Sequence, residues 1–429
     1  MKSIKVALSA LFVMTLLNSC QDEKTDSGNL EAIVKPAELQ GEKIPGSYIV
    51  VFKDTNGETA RTSMSNKVFA SRLEKSNAYK TFETDAKVKI DGILSKIAFD
   101  KSKVSNYYST QFNGISIHDV TDAELNELYK NVNVKAIYFD QLIPNPMDGI
   151  VQEKNGVETK EANAANRGGT QVTPCGVLNV GDFADGSTSS AWIWIIDTGV
   201  NTTHPDLNVV TDARYAKSFI GTSVEDCNGH GTHVSGTAAA KDNTEGVVGV
   251  SAGAPIVPVR VFGCTGGASS SNILAAINHV GANDAPGDVV NMSLGGLFGA
   301  NCDANSPYST ALKGLGNSGT RVALAAGNSS ADATTFSPAC TNGTNIITVA
   351  SMTCNKTFSS FSNYNRAAVD VIATGSSVRS TWLNGGYNTI SGTSMASPHV
   401  AGIMHARNNI PASNGSVSSR GESYPIAVR

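Results

Sequence analysis

The chain has 429 residues and a formal net charge of −4, with 37 Asp and Glu against 33 Lys and Arg. This balance argues against nucleic acid as a partner, because nucleic-acid-binding domains carry a marked basic excess. Charged residues are unevenly spread: residues 21–174 hold 41 in 154 positions, whereas residues 175–429 hold 27 in 255. The shift marks a domain boundary, and the C-terminal part is long enough to bury a large core.

The first 19 residues have the features of an export signal. Lys2 and Lys5 precede an apolar stretch at 6–17 that is too short to span a membrane. Residues 17–20 (LNSC) are similar to a bacterial lipobox, which predicts cleavage before Cys20 and acylation of its thiol and new amine. A plain secretory signal with an incidental Cys20 is the alternative. In the lipobox interpretation, the polar residues 20–44 are a tether to the membrane.

Residues 45–143 have the pattern of a second, small globular unit of α/β type. Strand-like runs rich in β-branched and aromatic residues lie at 47–52, 112–117 and 134–139. Residues 58–97 contain helical stretches, and a capping box at 121–124 predicts another helix start. The polar, Gly-rich residues 144–172 then predict a protease-sensitive linker before a large domain at 173–429.

In the C-terminal part, an apolar run at 191–196 ends at Asp197. Its β-branched and aromatic residues predict a central parallel strand that is buried on both faces. Asp197 would lie at the carboxyl end of this strand, which is where ligand sites of open α/β sheets lie.

Two further polar side chains stand beside glycines, before stretches that predict helices. His230 lies in NGHGTHV at 228–234, and Ser394 lies in SGTSMASPH at 391–399. A serine nucleophile needs a base to take its proton and a buried carboxylate to orient that base. Asp197, His230 and Ser394 supply this set, and a helix N-terminus stabilises the negative charge that forms near Ser394.

Each of these residues taken alone has a simpler interpretation. Asp197 is in an Asp-Thr-Gly sequence that is also a common turn, and Ser394 could be an ordinary helix N-cap. His230 and His233 could bind zinc, but His-Glu-x-x-His is absent and no third ligand has suitable spacing. At the level of the whole chain, a catalytically silent peptide-binding lipoprotein and a dinucleotide-binding protein are the competing classes. The first is disfavoured by the intact catalytic set and the second by the absence of a Gly-x-Gly-x-x-Gly helix start.

The order Asp, His, Ser is that of subtilisin, and residues 173–429 resemble the subtilase serine proteases, most closely the proteinase K-like branch. Two more segments carry this resemblance: 290–296 is similar to the substrate-binding strand, and 325–328 to the segment with the oxyanion asparagine. The resemblance implies an α/β fold with a mostly parallel sheet flanked by helices. It also implies a broad-specificity endopeptidase in which Asn328 and the backbone N–H of Ser394 bind the oxyanion.

The resemblance further implies how a polypeptide substrate is held. The residues that would pair with an extended peptide are Gly266, Gly267 and Ala268 on one side and Ser293, Leu294 and Gly295 on the other. The residues that would line the pocket before the scissile bond are Ala325, Ala326, Gly327 and Phe336. Main-chain pairing and an uncharged pocket predict broad specificity. Ser270 stands where relatives often carry a tyrosine, which argues against a strong aromatic preference in the more distant pocket.

For residues 45–143 the resemblance implies an inhibitor-type propeptide of ferredoxin-like α/β form. It would cover the active site, assist folding and be cut off within 144–172; a permanent accessory domain is the alternative. Asp370 and the carbonyls of Thr344 and Ile346 match the calcium site of the family, and oxygen ligands suit that cation. No cofactor is expected for catalysis. The expected partners are polypeptide substrates, the propeptide and a membrane reached through the lipid anchor, with the chain itself a monomer.

Cysteine usage agrees with export. Apart from the lipobox cysteine, six remain, all in the large domain: Cys175, Cys227, Cys264, Cys302, Cys340 and Cys354. An even number without a Cys-x-x-Cys favours disulfides over metal sites. Cys227 and Cys264 match a bridged pair in thermostable proteinase K relatives. The other four allow three pairings, of which we expect Cys340 with Cys354 and Cys175 with Cys302.

Overall fold

The computed structural model describes residues 41–53, 64, 67–150 and 171–429. These residues all belong to one compact unit. The predicted export signal and nearly all of the tether lie outside the described residues, as do the linker residues 151–170. Within the described part of the chain, no helix has the length and apolar character needed to cross a membrane.

The predicted small α/β unit is a sheet with helices packed on it. In chain order its elements are β1 (Lys43–Phe52), α1 (Arg72–Lys96), β2 (Val104–Tyr108), β3 (Gly114–Ile117), α2 (Asp122–Lys130) and β4 (Val134–Ile143). The antiparallel strands follow the order β4-β1-β3-β2, so the unit has the βαββαβ arrangement of ferredoxin-like folds. The capping box predicted at 121–124 is confirmed: Thr121 and Glu124 bond to each other's backbone N–H.

The two faces of this small sheet have different neighbours, because side chains alternate along a strand. On one face Val50 and Ile137 pack with Leu94 of α1 and Leu128 of α2. On the other face, the neighbouring residue Ile49 belongs to the same apolar core as residues of the large C-terminal sheet. The small unit is therefore packed against the rest of the protein through the face that lacks helices.

The C-terminal part alternates strands with helices and loops. In chain order its elements are α3 (Cys175–Asn179), β5 (Ala184–Asp185), β6 (Ile193–Asp197), β7 (Lys217–Ser218), α4 (His230–Ala239), β8 (Ser251–Ala252), β9 (Ile256–Arg260), β10 (Ala268–Ser269), α5 (Ser270–Asn283), β11 (Val289–Met292), β12 (Gly296–Leu297), α6 (Cys302–Asn305), α7 (Pro307–Asn317), β13 (Arg321–Ala325), β14 (Phe336–Ser337), β15 (Ile346–Met352), β16 (Val371–Thr374), β17 (Val378–Thr381), β18 (Tyr387–Ile390), α8 (Thr393–Arg407), β19 (Ala412–Ser419) and β20 (Glu422–Val428).

Among the described residues, nine of these strands form the main sheet, in the order β19-β20-β16-β15-β13-β11-β6-β9-β7. All neighbours in it are parallel except the β19–β20 hairpin. In the centre of the sheet Trp194 of β6 lies opposite Val290 of β11, which lies opposite Val322 of β13. The predicted α/β class with a mostly parallel sheet is confirmed.

Helices cover both faces of the main sheet, as the fully buried β6 predicts. Trp194 and Ile196 face the core formed with α5 and α7, in which Leu274 is fully buried. Ile193 and Ile195 face the opposite core formed with α4 and α8. Because β6 is apolar on both faces, a single strand contributes to two cores, and its position at the centre of the sheet follows from its sequence.

Disulfides join distant parts of the C-terminal domain. Within the described residues they link Cys175 with Cys354, Cys227 with Cys264, and Cys302 with Cys340, with Cα–Cα distances of 5.7, 4.9 and 6.0 Å. The expected Cys227–Cys264 pair is confirmed. The expected pairs Cys340–Cys354 and Cys175–Cys302 were wrong.

The packing explains the pairing of the other four cysteines. Helix α3 lies against β16. The side chain of Asn179, at the end of α3, donates to the Cys354 carbonyl at 3.0 Å. These contacts bring Cys175 close to Cys354. Cys302 and Cys340 instead share a small apolar cluster with Phe298. Neither neighbourhood is readable from spacing along the chain, because each depends on how loops meet in three dimensions.

The bridges differ in the length of chain that they close, which predicts different effects on stability. The Cys175–Cys354 bridge has a sequence separation of 179 and the Cys302–Cys340 bridge one of 38. Chain entropy then gives about 5 kcal/mol for the first and about 4 kcal/mol for the second. We expect Cys175→Ser with Cys354→Ser to destabilise the domain more than Cys302→Ser with Cys340→Ser. Urea unfolding of both variants tests this, and an equal loss would contradict it.

Candidate active site

Asp197 and His230 meet at the carboxyl end of β6. Asp197 is the last residue of β6, and His230 is the first residue of α4. The Nδ1 atom of His230 lies 2.8 Å from Oδ1 and 3.0 Å from Oδ2 of Asp197, and both side chains are fully buried. The carboxylate can only accept, so Nδ1 carries the proton and Nε2 is left as an acceptor. Among the described residues, Nε2 has no hydrogen-bond partner.

The loop that carries His230 is organised by Asp226, a residue that the sequence reasoning did not identify. Its Oδ1 accepts from the Thr198 hydroxyl at 3.0 Å and from the N–H groups of Asn228 and Gly229 at 2.9 and 3.0 Å. Its Oδ2 accepts from the Thr232 N–H and hydroxyl at 3.0 and 2.6 Å. One buried carboxylate therefore ties the end of β6 to the first turn of α4. An acidic residue just before a predicted helix start was the signal available for it.

Ser394 is the second residue of α8 and is held against the end of β11. Its hydroxyl donates to the Ser293 carbonyl at 3.3 Å, and the Ser293 hydroxyl donates to the Ser394 carbonyl at 2.8 Å. Asn291 extends this contact, because its amide donates to the Ser293 hydroxyl and accepts from Ser397. The Ser394 hydroxyl therefore does not contact Nε2 of His230 in this conformation. Such bonds are often long in free enzymes and shorten when substrate binds.

Asn328 lies beside the first turn of α8. Its Oδ1 accepts from the N–H and the hydroxyl of Thr393, both at 2.8 Å. This fixes the amide so that Nδ2 points to the other side, 3.2 Å from where a Cβ on Gly392 would stand. The preceding Gly327 has a φ of +105°, and a Cβ there would lie 2.3 Å from the Asn363 amide nitrogen. Glycine is thus required at 327 to bring Asn328 to this place.

A cavity of about 460 Å³ opens next to Ser394. The predicted pocket residues Ala325, Ala326, Gly327 and Phe336 all line it, together with Ser293, Leu294, Gly295 and Asn328. No charged side chain of the described residues is part of its lining. The cavity can accept an uncharged side chain, and its lining offers no charged partner for Lys, Arg, Asp or Glu.

The C-terminal end of the small unit lies along one edge of this cavity. Ile143 of β4 is opposite Ala268 of β10, and a Cβ on Gly267 would lie 2.4 Å from the Ile143 carbonyl. Asn145 continues the contact by donating to the Gly266 carbonyl at 2.9 Å. The segment 266–268 therefore already pairs with an extended stretch of this same chain.

Beyond Asn145 the chain turns and passes the first turn of α8. Pro144, Asn145 and Pro146 line the cavity. Ile150 packs against the core that contains α8, and its Cδ1 atom lies 3.0 Å from where a Cβ on Gly392 would stand. Residues 144–150 thus run along the cavity and past the first turn of α8.

The second histidine of α4, His233, has a different environment from that of His230. Its Nε2 atom lies 3.0 Å from the Val378 carbonyl, with which it forms a hydrogen bond. Burial, and in second place the neighbouring His230, lower the pKa of His233 to about 3. His233 is therefore a neutral core residue at any physiological pH.

The predicted calcium ligands fit a cation site only in part. The Thr348 N–H donates to the Asp370 carboxylate, and the Asp370 N–H donates to the Thr348 carbonyl. Because carbonyls alternate along a strand, the Ile346 carbonyl is directed to the same side of β15 as the Thr348 carbonyl. The Thr344 carbonyl instead lies over Gly316, 2.1 Å from where a Cβ would stand. No group of three or more His, Cys, Asp or Glu that could hold a metal ion occurs in the described ranges.

The fold and these motifs can be compared with known proteins. A sequence model of the Subtilase family matches residues 189–409. The extracellular serine proteinase of Thermus sp. (strain Rt41A) is 31% identical over 407 residues, which cover 91% of this chain and 87% of that protein. Alkaline serine exoprotease A of Vibrio alginolyticus is 42% identical over 219 residues, which are 51% of this chain and 38% of that longer protein.

Among solved structures, a cold-adapted subtilisin-like serine proteinase superposes with a TM-score of 0.50 at 35% identity, covering 58% of this chain and 91% of that one. A family match over half of the chain and a relative aligned along most of its length agree with the fold. The chain belongs to the subtilase family and is a subtilisin-like serine endopeptidase.

The Asp226 contacts predict that this residue positions His230. Asp226→Ala would leave several buried donors without an acceptor, so we expect a loss of about 3 kcal/mol or more in the free energy of unfolding. We also expect slower labelling by a fluorophosphonate, which reports the reactivity of a nucleophilic serine. Asp242→Ala, at an exposed site, is the matched control. If Asp226→Ala has the free energy of unfolding and the labelling rate of the control, Asp226 has no such role.

Proposed function

We propose that the protein hydrolyses peptide bonds of polypeptides with broad specificity through Asp197, His230 and Ser394. The observation that carries this proposal is the buried Asp197–His230 hydrogen bond, which leaves Nε2 of His230 as a proton acceptor beside α8. The Ser394 oxygen would attack the substrate carbonyl carbon while its proton moves to Nε2. That proton then goes to the departing amine. Water next attacks the acyl group on Ser394 while His230 takes a proton from the water, and His230 returns that proton to the Ser394 oxygen as the acyl group leaves.

The negative charge on the carbonyl oxygen would be stabilised by two donors. The N–H of Ser394 lies in the first turn of α8, where the helix dipole favours negative charge. The Asn328 amide is the second donor, and its fixed orientation through Thr393 supports this role. Donors that are already in place need no reorganisation during the reaction, and loss of one costs about 10²–10³ in turnover.

Substrate recognition would be largely through the main chain. Residues 266–268 would form a strand pair with the extended substrate, as they do with Ile143, and residues 293–295 would form the other wall. The uncharged cavity at Ala325 and Phe336 would hold the side chain before the scissile bond. Because main-chain hydrogen bonds are the same for every residue type, such a site accepts many sequences.

We infer that residues 45–143 are an inhibitor-type propeptide and that residues 144–172 contain the bond cut during maturation. The position of residues 142–150 along the substrate groove supports this inference. A permanent accessory domain would be expected to leave the groove open to substrates. In the precursor, residues 144–150 would exclude substrate until the segment is removed.

We further propose that the protein is exported and that residues 1–19 are removed, so that Cys20 becomes the acylated first residue of a tether at 20–44. The disulfides support export, because such bonds form and persist in oxidising compartments. The word "extracellular" in the name of the Thermus relative agrees with this.

We propose a structural calcium ion held by Asp370 and the carbonyls of Ile346 and Thr344, the last after a local rotation away from Gly316. Burial raises the pKa of Asp370, and the Thr348 N–H and Arg366 counteract this. A bound cation would compensate the buried carboxylate. Catalysis itself would need no cofactor, since every group in the proposed reaction comes from the chain.

This calcium proposal predicts a chelator effect on stability. An ion at about 100 times its dissociation constant stabilises the folded state by about 2.7 kcal/mol, because it binds that state alone. We expect chelation to lower the thermal unfolding midpoint of the protein, and Asp370→Asn to remove this sensitivity. Scanning calorimetry with and without chelator tests it, and a midpoint that the chelator does not move would refute it.

The central prediction concerns Ser394→Ala. This change removes the proposed nucleophile, so we expect casein hydrolysis to fall by about 10⁶ and fluorophosphonate labelling to disappear. The far-UV circular dichroism spectrum should stay unchanged, since the hydroxyl makes one long hydrogen bond. Ser418→Ala, at an exposed position of the same domain, is the control, and hydrolysis by Ser394→Ala at the rate of that control would exclude the assignment.

The Ser394→Ala protein also separates maturation from lipid attachment. If the enzyme cuts its own linker, the intact mass of this variant will include residues 45–143, whereas the unchanged protein loses them. Acylation of Cys20 would add the mass of the lipid to the precursor. An unprocessed wild-type chain with full activity would favour the accessory-domain alternative.

A further inference from the structure

Helix α1 extends beyond the sheet of its own unit. Of its 25 residues, the C-terminal half packs on that sheet through Ile90 and Leu94. The N-terminal half contacts α5 instead, where Tyr79 packs with Ala282. This half is therefore supported by the C-terminal domain and not by the small unit to which it belongs in sequence.

Arg72, the first residue of α1, contacts three residues of the C-terminal domain. Its guanidinium group lies over the Trp192 ring at 3.8 Å from the centroid. It also donates to both carboxylate oxygens of Asp288, with 2.6 Å to Oδ1, and to the Ser190 carbonyl at 2.9 Å. Stacking and paired hydrogen bonds together are the arrangement that distinguishes arginine from lysine.

The C-terminal domain holds Asp288 in place without help from Arg72. Oδ1 accepts from the Trp192 N–H at 2.8 Å, and Oδ2 accepts from the Trp194 ring N–H at 2.8 Å and the Ala285 N–H at 3.0 Å. The side chain of Asp288 is fully buried when Arg72 is in contact with it. Its orientation is thus fixed before any cation binds, and little side-chain entropy is lost when a guanidinium group pairs with it.

A second charge pair lies one helical turn further along α1. The Lys75 ammonium group contacts Asp284, which also accepts from the Thr320 hydroxyl. Burial raises the pKa of Asp284, Lys75 counteracts this, and the charge of Asp288 adds to the rise. Two carboxylates that repel each other are therefore neutralised by two cations from one turn of helix.

We propose that Asp284, Asp288 and Trp192 form a docking site for two cationic side chains, and that Arg72 and Lys75 of the propeptide occupy it. Asp284 follows the C-terminal end of α5, whereas the substrate groove adjoins its N-terminal end. A helix of 14 residues separates the two by roughly 20 Å. The docking site is therefore separate from the active site.

This inference rests on the proposed inhibitory role and gives it a second attachment point. Two linked contacts hold a ligand far longer than either one, since each keeps the other at high effective concentration. Cutting the linker would leave the propeptide bound at both places. Release of the inhibitor would then depend on breaking the charge pairs as well as on leaving the groove.

The test uses the full chain carrying Ser394→Ala, with its C-terminal domain immobilised and its linker opened by limited trypsin treatment at Lys154, Lys160 or Arg167. Release of the N-terminal fragment is followed by surface plasmon resonance. We expect Arg72→Ala with Lys75→Ala to speed release at least about 30-fold, because truncating buried charge pairs acts mainly on dissociation. Because buried charge pairs are screened much less than exposed ones, raising the salt concentration to about 1 M should leave most of this difference in release rate in place.

Lys80→Ala with Lys89→Ala is the matched control, because it removes the same charge from exposed positions of the same helix. Lys75→Ala and Asp284→Asn, alone and combined, form a cycle in which direct contact predicts that the two effects do not add. If Arg72→Ala with Lys75→Ala is released as slowly as the control, the docking site is overturned while inhibition by the propeptide stands. Immediate release from the unchanged chain would overturn both.

Discussion

The buried carboxylate of Asp197 is the constraint on which the arrangement of the site depends. A charge without solvent must be hydrogen bonded, and here the His230 ring and the Thr198 N–H at 2.7 Å satisfy it. The aspartate that ends the central strand meets a histidine because α4 begins at this point. Asp226 maintains this meeting of strand and helix by accepting from Thr198 and from the first turn of α4.

Helix α5 runs between two of the places at which the small unit is attached. At its N-terminal end, Asp140 of the small unit accepts from the N–H and hydroxyl of Ser271 at 3.0 and 2.6 Å. At its C-terminal end lies Asp284 with Lys75. Asn278, between them, accepts from the N–H groups of Ser109 and Thr110 at 3.2 and 2.7 Å. One helix thus carries polar contacts to the small unit along its whole length.

One of the disulfides acts on the loops around the site. The Cys227–Cys264 bridge links the loop before His230 to the segment that precedes Gly266, and Asn228 donates to the Cys264 carbonyl at 2.9 Å. The candidate base and one wall of the proposed substrate groove are therefore joined covalently. Such a link restrains the relative positions of the two segments that build this part of the site.

The sequence by itself determined the fold class, the strand before Asp197, the helix starts at His230 and Ser394, and the pocket-lining stretch at 325–327. The strand and the helix starts are local signals, since apolar runs and helix-start patterns depend on neighbours in the chain. The fold class and the pocket-lining stretch followed from the resemblance of the sequence to the family. Contacts between distant segments, including two of the disulfide pairings, the five donors to Asp226 and the contact of Arg72 with Asp288, were decided by the tertiary structure alone. Their physical reason is that burial and pairing depend on which loops and helix ends meet, and separation along the chain does not encode this.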